Sequence, residues 1–141
     1  MAGTSHRDLR VWQVAMEIAS DCYALAKRLP RDELFGITSQ IRRAAASVPA
    51  NIAEGYGRYS NRETARFLNI ANGSLTELDT HLELALRAGY LTTSDVEPVT
   101  AKAKSLGAMI FAFKVALKRP RPQPPQALGP RPAATAAETA P

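Results

Sequence analysis

Five arginines, Arg42, Arg43, Arg58, Arg62 and Arg66, are the residues of this chain with the plainest chemistry to offer. A guanidinium is planar, permanently charged and forked to match phosphate oxygens. Arg62 and Arg66 are four apart near the start of a helix, so they share a face beside free backbone amides that also favour an anion. Gathered near one end of a bundle, the five would hold the backbone of RNA or DNA. The competing reading pairs Arg42 or Arg43 with Glu54 or Glu77, within a bundle or across its copies, and leaves the rest as a solvated face. Acids interspersed among the arginines, and no aromatic platform beside them, weigh toward that second reading.

Other groups offer less. Asn51 and Glu54 lie three apart, hence on one helix face, just after Pro49. Glu54 lacks a second titratable group at catalytic spacing. Gln40, Asn51, Glu54 and Glu77 therefore read as a structural polar network, serving backbone groups freed by Pro49 and an arginine. His6 and His81 are far apart and the chain has one cysteine, so no metal-ligand cluster forms. Ser39 and Ser47 have no nucleophile elbow, and Gly55-Tyr56-Gly57-Arg58 is not a phosphate-cradling loop. No catalytic residue, cofactor or metal is expected.

The elements that must position these groups are helices. Asp8 can cap a first helix with two apolar stripes, Leu9, Trp12, Met16, Ala19, Tyr23, Ala26 and Val11, Ala15, Ile18, Cys22, Leu25, ending at Leu29-Pro30. A helix apolar over more than half its circumference needs more than one neighbour. Ile37, Ile41, Ala45, Val48 and Ile52 predict a second helix that keeps its rhythm through Pro49, kinked or broken there, and stops at Gly55-Tyr56-Gly57. Ser60 and Glu63 match a capping box opening a third, with Phe67, Ile70, Ala71, Leu75, Leu78, Leu82, Ala85 and Leu86 apolar up to Gly89. Gly73 within it, beside Ala71 and Ser74, suggests close approach of another helix, in the bundle or between subunits, with Ala44-Ala45-Ala46 as a matching smooth surface. Thr93 or Ser94 opens a fourth helix, whose Val96, Val99, Ala103, Leu106, Ile110, Phe113 and Leu117 form an uninterrupted heptad seam. No period-two run bounded by hairpin turns occurs.

At 141 residues, with 45% apolar and 22% charged content, the chain has the composition of one ordinary globular domain. The net charge of +5 is spread thinly: through Lys118 there are fifteen Lys and Arg against twelve Asp and Glu. The lone Cys22 reads as a buried free thiol and fits a reducing cytoplasm. Neither a signal-like apolar run in Met1 to Arg10 nor a membrane-spanning stretch is present in the sequence. From Arg119 the composition turns to Pro, Ala and Arg, the signature of a disordered basic tail; Pro122-Gln123-Pro124-Pro125 is a weak match to a polyproline ligand.

Several dense segments carry a resemblance: Asp8-Leu9-Arg10-Val11-Trp12 with Ala15-Met16; Gly36 with Thr38-Ser39-Gln40-Ile41-Arg42-Arg43-Ala44; Pro49-Ala50-Asn51-Ile52-Ala53-Glu54-Gly55 with Arg58; and Phe67-Leu68, Ile70-Ala71, Gly73-Ser74-Leu75 and Glu77-Leu78. From about His6 to Leu91 the chain resembles the four-helix-bundle family first noticed as reading frames inside intervening sequences of bacterial large-subunit rRNA genes. The resemblance implies a left-handed antiparallel bundle and a ring-forming homo-oligomer, a pentamer, without a settled activity. A related bundle serves as the accessory protein of diversity-generating retroelements, beside a reverse transcriptase and its RNA, which is an analogy for this chain.

The reading as a whole is all-α: an antiparallel up-and-down four-helix bundle over residues 6–118 and a disordered Pro/Ala-rich tail over 119–141. The expected function is a cytoplasmic, non-enzymatic homo-oligomeric scaffold that binds nucleic acid, RNA ahead of DNA, through arginines multiplied by symmetry. The alternative is a protein–protein interaction module using a helical groove or the Pro-rich tail.

Overall fold

A computed structural model of the chain describes residues 5–119. Four α-helices follow in order, α1 (Arg10–Ala26), α2 (Ile37–Tyr56), α3 (Asn61–Arg87) and α4 (Thr93–Ala116), with short 3-10 turns at His6–Asp8 and Arg31–Glu33. No strand occurs among the described residues. The fold is the helical bundle that the periodicity predicts; apart from Arg119, the Pro-rich stretch lies outside the described residues.

The core is built from heptad seams. On α2 the buried positions Thr38, Ile41, Ala45, Val48, Ile52 and Gly55 form one seam, flanked by the buried Ala44 and Pro49, and on α3 the seam is Thr64, Leu68, Ala71, Leu75, Leu78, Leu82 and Ala85. Both sets step alternately by three and four, the spacing that keeps one stripe facing a neighbour at a shallow crossing angle. Thr38, Gly55 and Thr64 complete these seams although none is an apolar side chain of the usual kind. The α3 seam accordingly departs from the expected stripe: Leu68 belongs to the core, Phe67 is half-buried and Ile70 is exposed. On α4, Val96, Val99, Leu106 and Ile110 are buried, with Ala103, Phe113 and Leu117 packed at the edge. On α1 the Val11, Ala15, Ile18, Cys22 stripe is buried, whereas Met16 and Tyr23 of the other stripe face outward. Burial pushes the Cys22 thiol up to about 12, which leaves it an inert core group.

Pro49 is buried inside α2, which runs unbroken from Ile37 to Tyr56. The expected break does not occur. Proline removes the amide that would bond the Ala45 carbonyl, a penalty of about 3 kcal/mol. Val48, Ile41, Ala45 and Ile52, all essentially inaccessible, supply the packing that offsets it.

Helix starts differ in detail from expectation. Asp8 does not cap α1: its carboxylate accepts from the Ser5 amide at 3.1 Å, closing a capping box on the preceding 3-10 turn, and α1 begins after Leu9 with no side-chain cap. Regular α1 geometry ends at Ala26, and one further hydrogen-bonded turn carries the chain to Leu29. Ser60 Oγ accepts from the Glu63 amide at 3.4 Å, but the Glu63 carboxylate turns to Arg66, so the box is half made. The cap of α4 is Thr92, not Thr93 or Ser94: Thr92 Oγ1 accepts from the Asp95 amide at 3.2 Å and Asp95 Oδ2 from the Thr92 amide at 2.8 Å. Gly89, at φ +79°, closes α3 as expected, with the Tyr90 amide donating to Ala85 and the Gly89 amide to Leu86.

Polar cross-links fix the register. Thr64 Oγ1 donates to the Gly55 carbonyl at 2.8 Å, and Ser47 and Ser74 hydroxyls meet at 2.8 Å, so paired positions run in opposite order along α2 and α3. Arg28 with Asp95, and Lys102 with Asp21 at 2.7 Å, do the same for α1 and α4. Asn61 Nδ2 donates to the Leu117 carbonyl at 2.9 Å, tying the start of α3 to the end of α4.

Close helix approach occurs at Gly55 rather than at Gly73. A Cβ on Gly55 would lie 2.6 Å from Phe67 Cβ and 3.3 Å from the Thr64 carbonyl, whereas one on Gly73 would meet nothing within 4 Å in this chain. Gly55→Ala is expected to destabilise the fold by about 1–3 kcal/mol through overpacking. Gly73→Ala should be neutral or stabilise by up to about 1 kcal/mol from helix propensity; thermal unfolding of the two variants checks both.

Asp95 gives a pH prediction. Its carboxyl is lowered from 3.8 to about 2, first by the hydrogen bond from Arg28 and then by the backbone and hydroxyl bonds from Thr92. A depressed carboxyl stabilises the fold above its unfolded pKa, and that contribution fades as pH falls through the folded one. Wild type should therefore lose more stability than Asp95→Asn between about pH 4 and pH 2, as read from urea midpoints across that window.

Candidate nucleic-acid interface

An α-helix rises 1.5 Å per residue, so the thirteen steps from Arg43 to Tyr56 on α2 span roughly 20 Å. Arg42 and Arg43 thus sit near the start of α2, while Arg58, Arg62 and Arg66 gather where α2 ends and α3 begins. The five do not share one end of the bundle, as the sequence suggested. They fall into three environments with different electrostatics.

Arg58 and Arg66 are neutralised locally. Arg58 Nη2 donates to Glu54 Oε1 at 2.8 Å, and Arg66 Nε and Nη2 donate to Glu63 Oε2 at 3.3 and 3.2 Å. Both guanidiniums also lie over the Phe67 ring, at 5.5 and 4.6 Å from its centroid. An aromatic platform does therefore accompany part of the basic set, and it is already occupied by two cations. Phe67 is held there because its Cβ rests on Gly55. These exposed pairs add only about 0–1 kcal/mol each, but they settle which charges are free.

Arg62 faces the other way. It is exposed and makes no hydrogen bond or ion pair among the described residues, and with Lys114 and Lys118 it lines a cleft of about 390 Å³ between the start of α3 and the end of α4. No acidic residue lines this cleft; Phe111, Ala65 and Val115 supply its apolar surface. Arg42, half-buried, and Arg43, exposed, likewise have no acidic partner among the described residues. The expected pairing of Arg42 or Arg43 with Glu54 or Glu77 is absent within the chain, because Glu54 is taken by Arg58 and Glu77 lies against His81 at 3.4 Å.

The expected network of Gln40, Asn51, Glu54 and Glu77 does not form as a unit. Asn51 Nδ2 donates to the Ser47 carbonyl at 2.8 Å and to Ser47 Oγ at 2.9 Å, and Ser47 continues to Ser74 on α3. The bridge is Asn51–Ser47–Ser74. The Ala45 carbonyl freed by Pro49 is not the group Asn51 reaches. Gln40 is exposed and three helical turns away, and both glutamates sit on outer surfaces.

Phe111, Lys114 and Lys118 do not stand out in the sequence, yet their i, i+3, i+7 spacing sets Phe111 and Lys114 on one face of α4 and continues it into the turn just past the helix end. The apolar heptad on the same helix masks that signal. A second concavity, about 540 Å³, lies between α1 and α2, where Trp12, Met16 and Tyr23 face Pro49, Ala50 and Ala53. Among the described residues no group of three His, Cys, Asp or Glu could hold a metal, and no helix is long and apolar enough to cross a membrane.

No curated protein matches the chain. The crystal structure of a protein with unknown function from the S23 ribosomal protein family of Bacteroides thetaiotaomicron VPI-5482 is similar, with a TM-score of 0.69 and 27% identity, covering 74% of this chain and 97% of that one. The family model for the 23S rRNA-intervening sequence protein matches residues 7–112. Helices α1 to α3 and most of α4, with all five arginines, lie inside that match, and the chain belongs to the 23S rRNA-intervening sequence protein family.

Proposed function

We propose that this protein is a non-enzymatic, homo-oligomeric helical scaffold that binds nucleic acid, RNA ahead of DNA, through cations that its own carboxylates leave unpaired. The observation that carries the reading is the sorting of charge. Glu54 and Glu63 are engaged by Arg58 and Arg66, while Arg42, Arg43, Arg62, Lys114 and Lys118 are free of acidic partners among the described residues. Free guanidinium and ammonium groups are what phosphate oxygens recognise. The family's name sets its members beside 23S rRNA, which is the reason for ranking RNA first.

Symmetry strengthens the field. A surplus of three charges through Lys118 is small in one subunit, and a ring of copies, a pentamer by the resemblance, multiplies it around an axis. Exposed apolar groups suited to contacts between copies are present at Met16, Tyr23, Ile70 and Leu84. An enzymatic role has little to stand on: Glu54 is exposed and ion-paired, and the Cys22 thiol is buried and held protonated.

The groove between α1 and α2 favours a second reading, a protein-interaction module. Its walls are an aromatic and methionine stripe on one helix and small residues on the other, a shape that accepts an apolar side chain or helix.

Light scattering with and without a mixed RNA pool, at low and physiological salt, separates the readings. The expected result is a multimer that gains mass with RNA and loses it as salt rises. Replacing Arg42 and Arg43 together with alanine should weaken RNA binding about tenfold and flatten its salt dependence by about 0.7 for each phosphate no longer neutralised. Binding indifferent to salt, or unchanged without these arginines, would overturn the proposal.

A further inference from the structure

The cleft between the start of α3 and the end of α4 is more than another basic patch. Asn61 Nδ2 donates to the carbonyls of Leu117 and Arg119, at 2.9 and 3.2 Å, so the C-cap of α4 and the turn after it are fastened to the first residue of α3. The two walls of the cleft are therefore tied to each other by a side-chain amide on two backbone carbonyls. Three cations, Arg62, Lys114 and Lys118, converge on it without a carboxylate. Among them the Phe111 ring stands 68% exposed, its aromatic face open beside the three cations.

Three kinds of occupant can be weighed by chemistry. An apolar protein segment would cover Phe111 but would bury three cations without partners, which is costly. A nucleic-acid duplex would satisfy the cations, yet its bases are stacked inside and present no free face to the ring. A single strand does both: its phosphates meet the cations, and an unstacked base lies on the phenyl ring. The volume, about 390 Å³, falls within the range of clefts that enclose small ligands.

We infer that this cleft binds a single-stranded segment of RNA, with one base stacked on Phe111 and the flanking phosphates held by Arg62, Lys114 and Lys118. The inference rests on the nucleic-acid reading above and adds the strandedness and the place. Arg62 lies on the first turn of α3, where backbone amides at the helix start add to the positive field. Lys114 in the last turn of α4 and Lys118 just past its C-cap would track the strand at that end of the helix.

The test measures binding of a fluorescein-labelled single-stranded RNA of about ten nucleotides, a length suited to one or two such platforms, and of the same sequence as a duplex. Phe111→Ala should weaken the single strand about tenfold, leave the duplex unchanged and keep the salt slope; Phe111→Tyr should restore affinity. Lys114→Ala with Lys118→Ala should weaken the single strand and lower the slope by about 1.4, that is 0.7 for each of two phosphates. If Phe111→Ala binds like wild type while loss of Arg42 and Arg43 weakens binding as expected above, the cleft is overturned and the broader reading stands. If wild type ignores RNA at every salt concentration, both fall. If Phe111→Ala lowers the mass of the RNA-free protein in light scattering, the ring is a contact between copies and the inference is overturned.

Discussion

The approach of α2 to α3 at Gly55 is the constraint on which the rest of the structure depends. With no side chain there, the Thr64 hydroxyl reaches the Gly55 carbonyl at 2.8 Å and Phe67 Cβ comes within 2.6 Å of where a Cβ of residue 55 would be. That approach sets the register in which Ser47 meets Ser74, and it seats the Phe67 ring at the surface. Arg58 and Arg66 then find one aromatic face and two nearby carboxylates, so their charge is balanced locally. A single backbone-level approach thus decides both the packing of two helices and the fate of two of the five arginines.

The bundle combines strict seams with small compromises. Thr38, Gly55 and Thr64 occupy heptad positions that a larger apolar residue would ordinarily take, and Pro49 lies buried inside α2. Three of these are tolerated where a neighbour compensates: Thr64 through its hydrogen bond to Gly55, Gly55 through Phe67, and Pro49 through surrounding apolar groups that water does not reach, whereas the Thr38 hydroxyl is buried with no hydrogen-bond partner among the described residues. Polar links at the periphery, Arg28 to Asp95 and Asp21 to Lys102, align α1 with α4 without entering the core. Their worth is chiefly in register, since exposed ion pairs contribute little to stability.

Charge is organised by subtraction. The cations and carboxylates near the α2–α3 turn are close in number, so net charge alone points to no particular surface. Pairing at i, i+3 and i, i+4 neutralises Arg58 and Arg66, leaving Arg62 to join Lys114 and Lys118 across the α3–α4 boundary. A cleft with cations on its walls and a phenyl ring among them differs from a solvated basic face, because the ring supplies an attraction that salt does not screen.

Apolar spacing by itself determined that this chain is helical, where α1, α2 and α3 lie to within a turn, and which stripes face inward on α2 and α4. Such information is local: a period of three and four is imposed by the helix whatever surrounds it. Caps were legible only in part, since Thr92, Thr93 and Ser94 are chemically alike and the choice among them depends on where Asp95 is drawn by Arg28. Seam positions filled by threonine or glycine were not legible, because their burial follows from a partner helix and not from hydrophobicity. The same holds for the site. Five arginines could be named from sequence, but which of them are paired, how far apart they stand, and that Arg62 meets Phe111, Lys114 and Lys118 from a helix some fifty residues away were decided only by tertiary structure. Phosphate-binding chemistry resides in residue type; a binding surface exists only once folding has set the distances between charges.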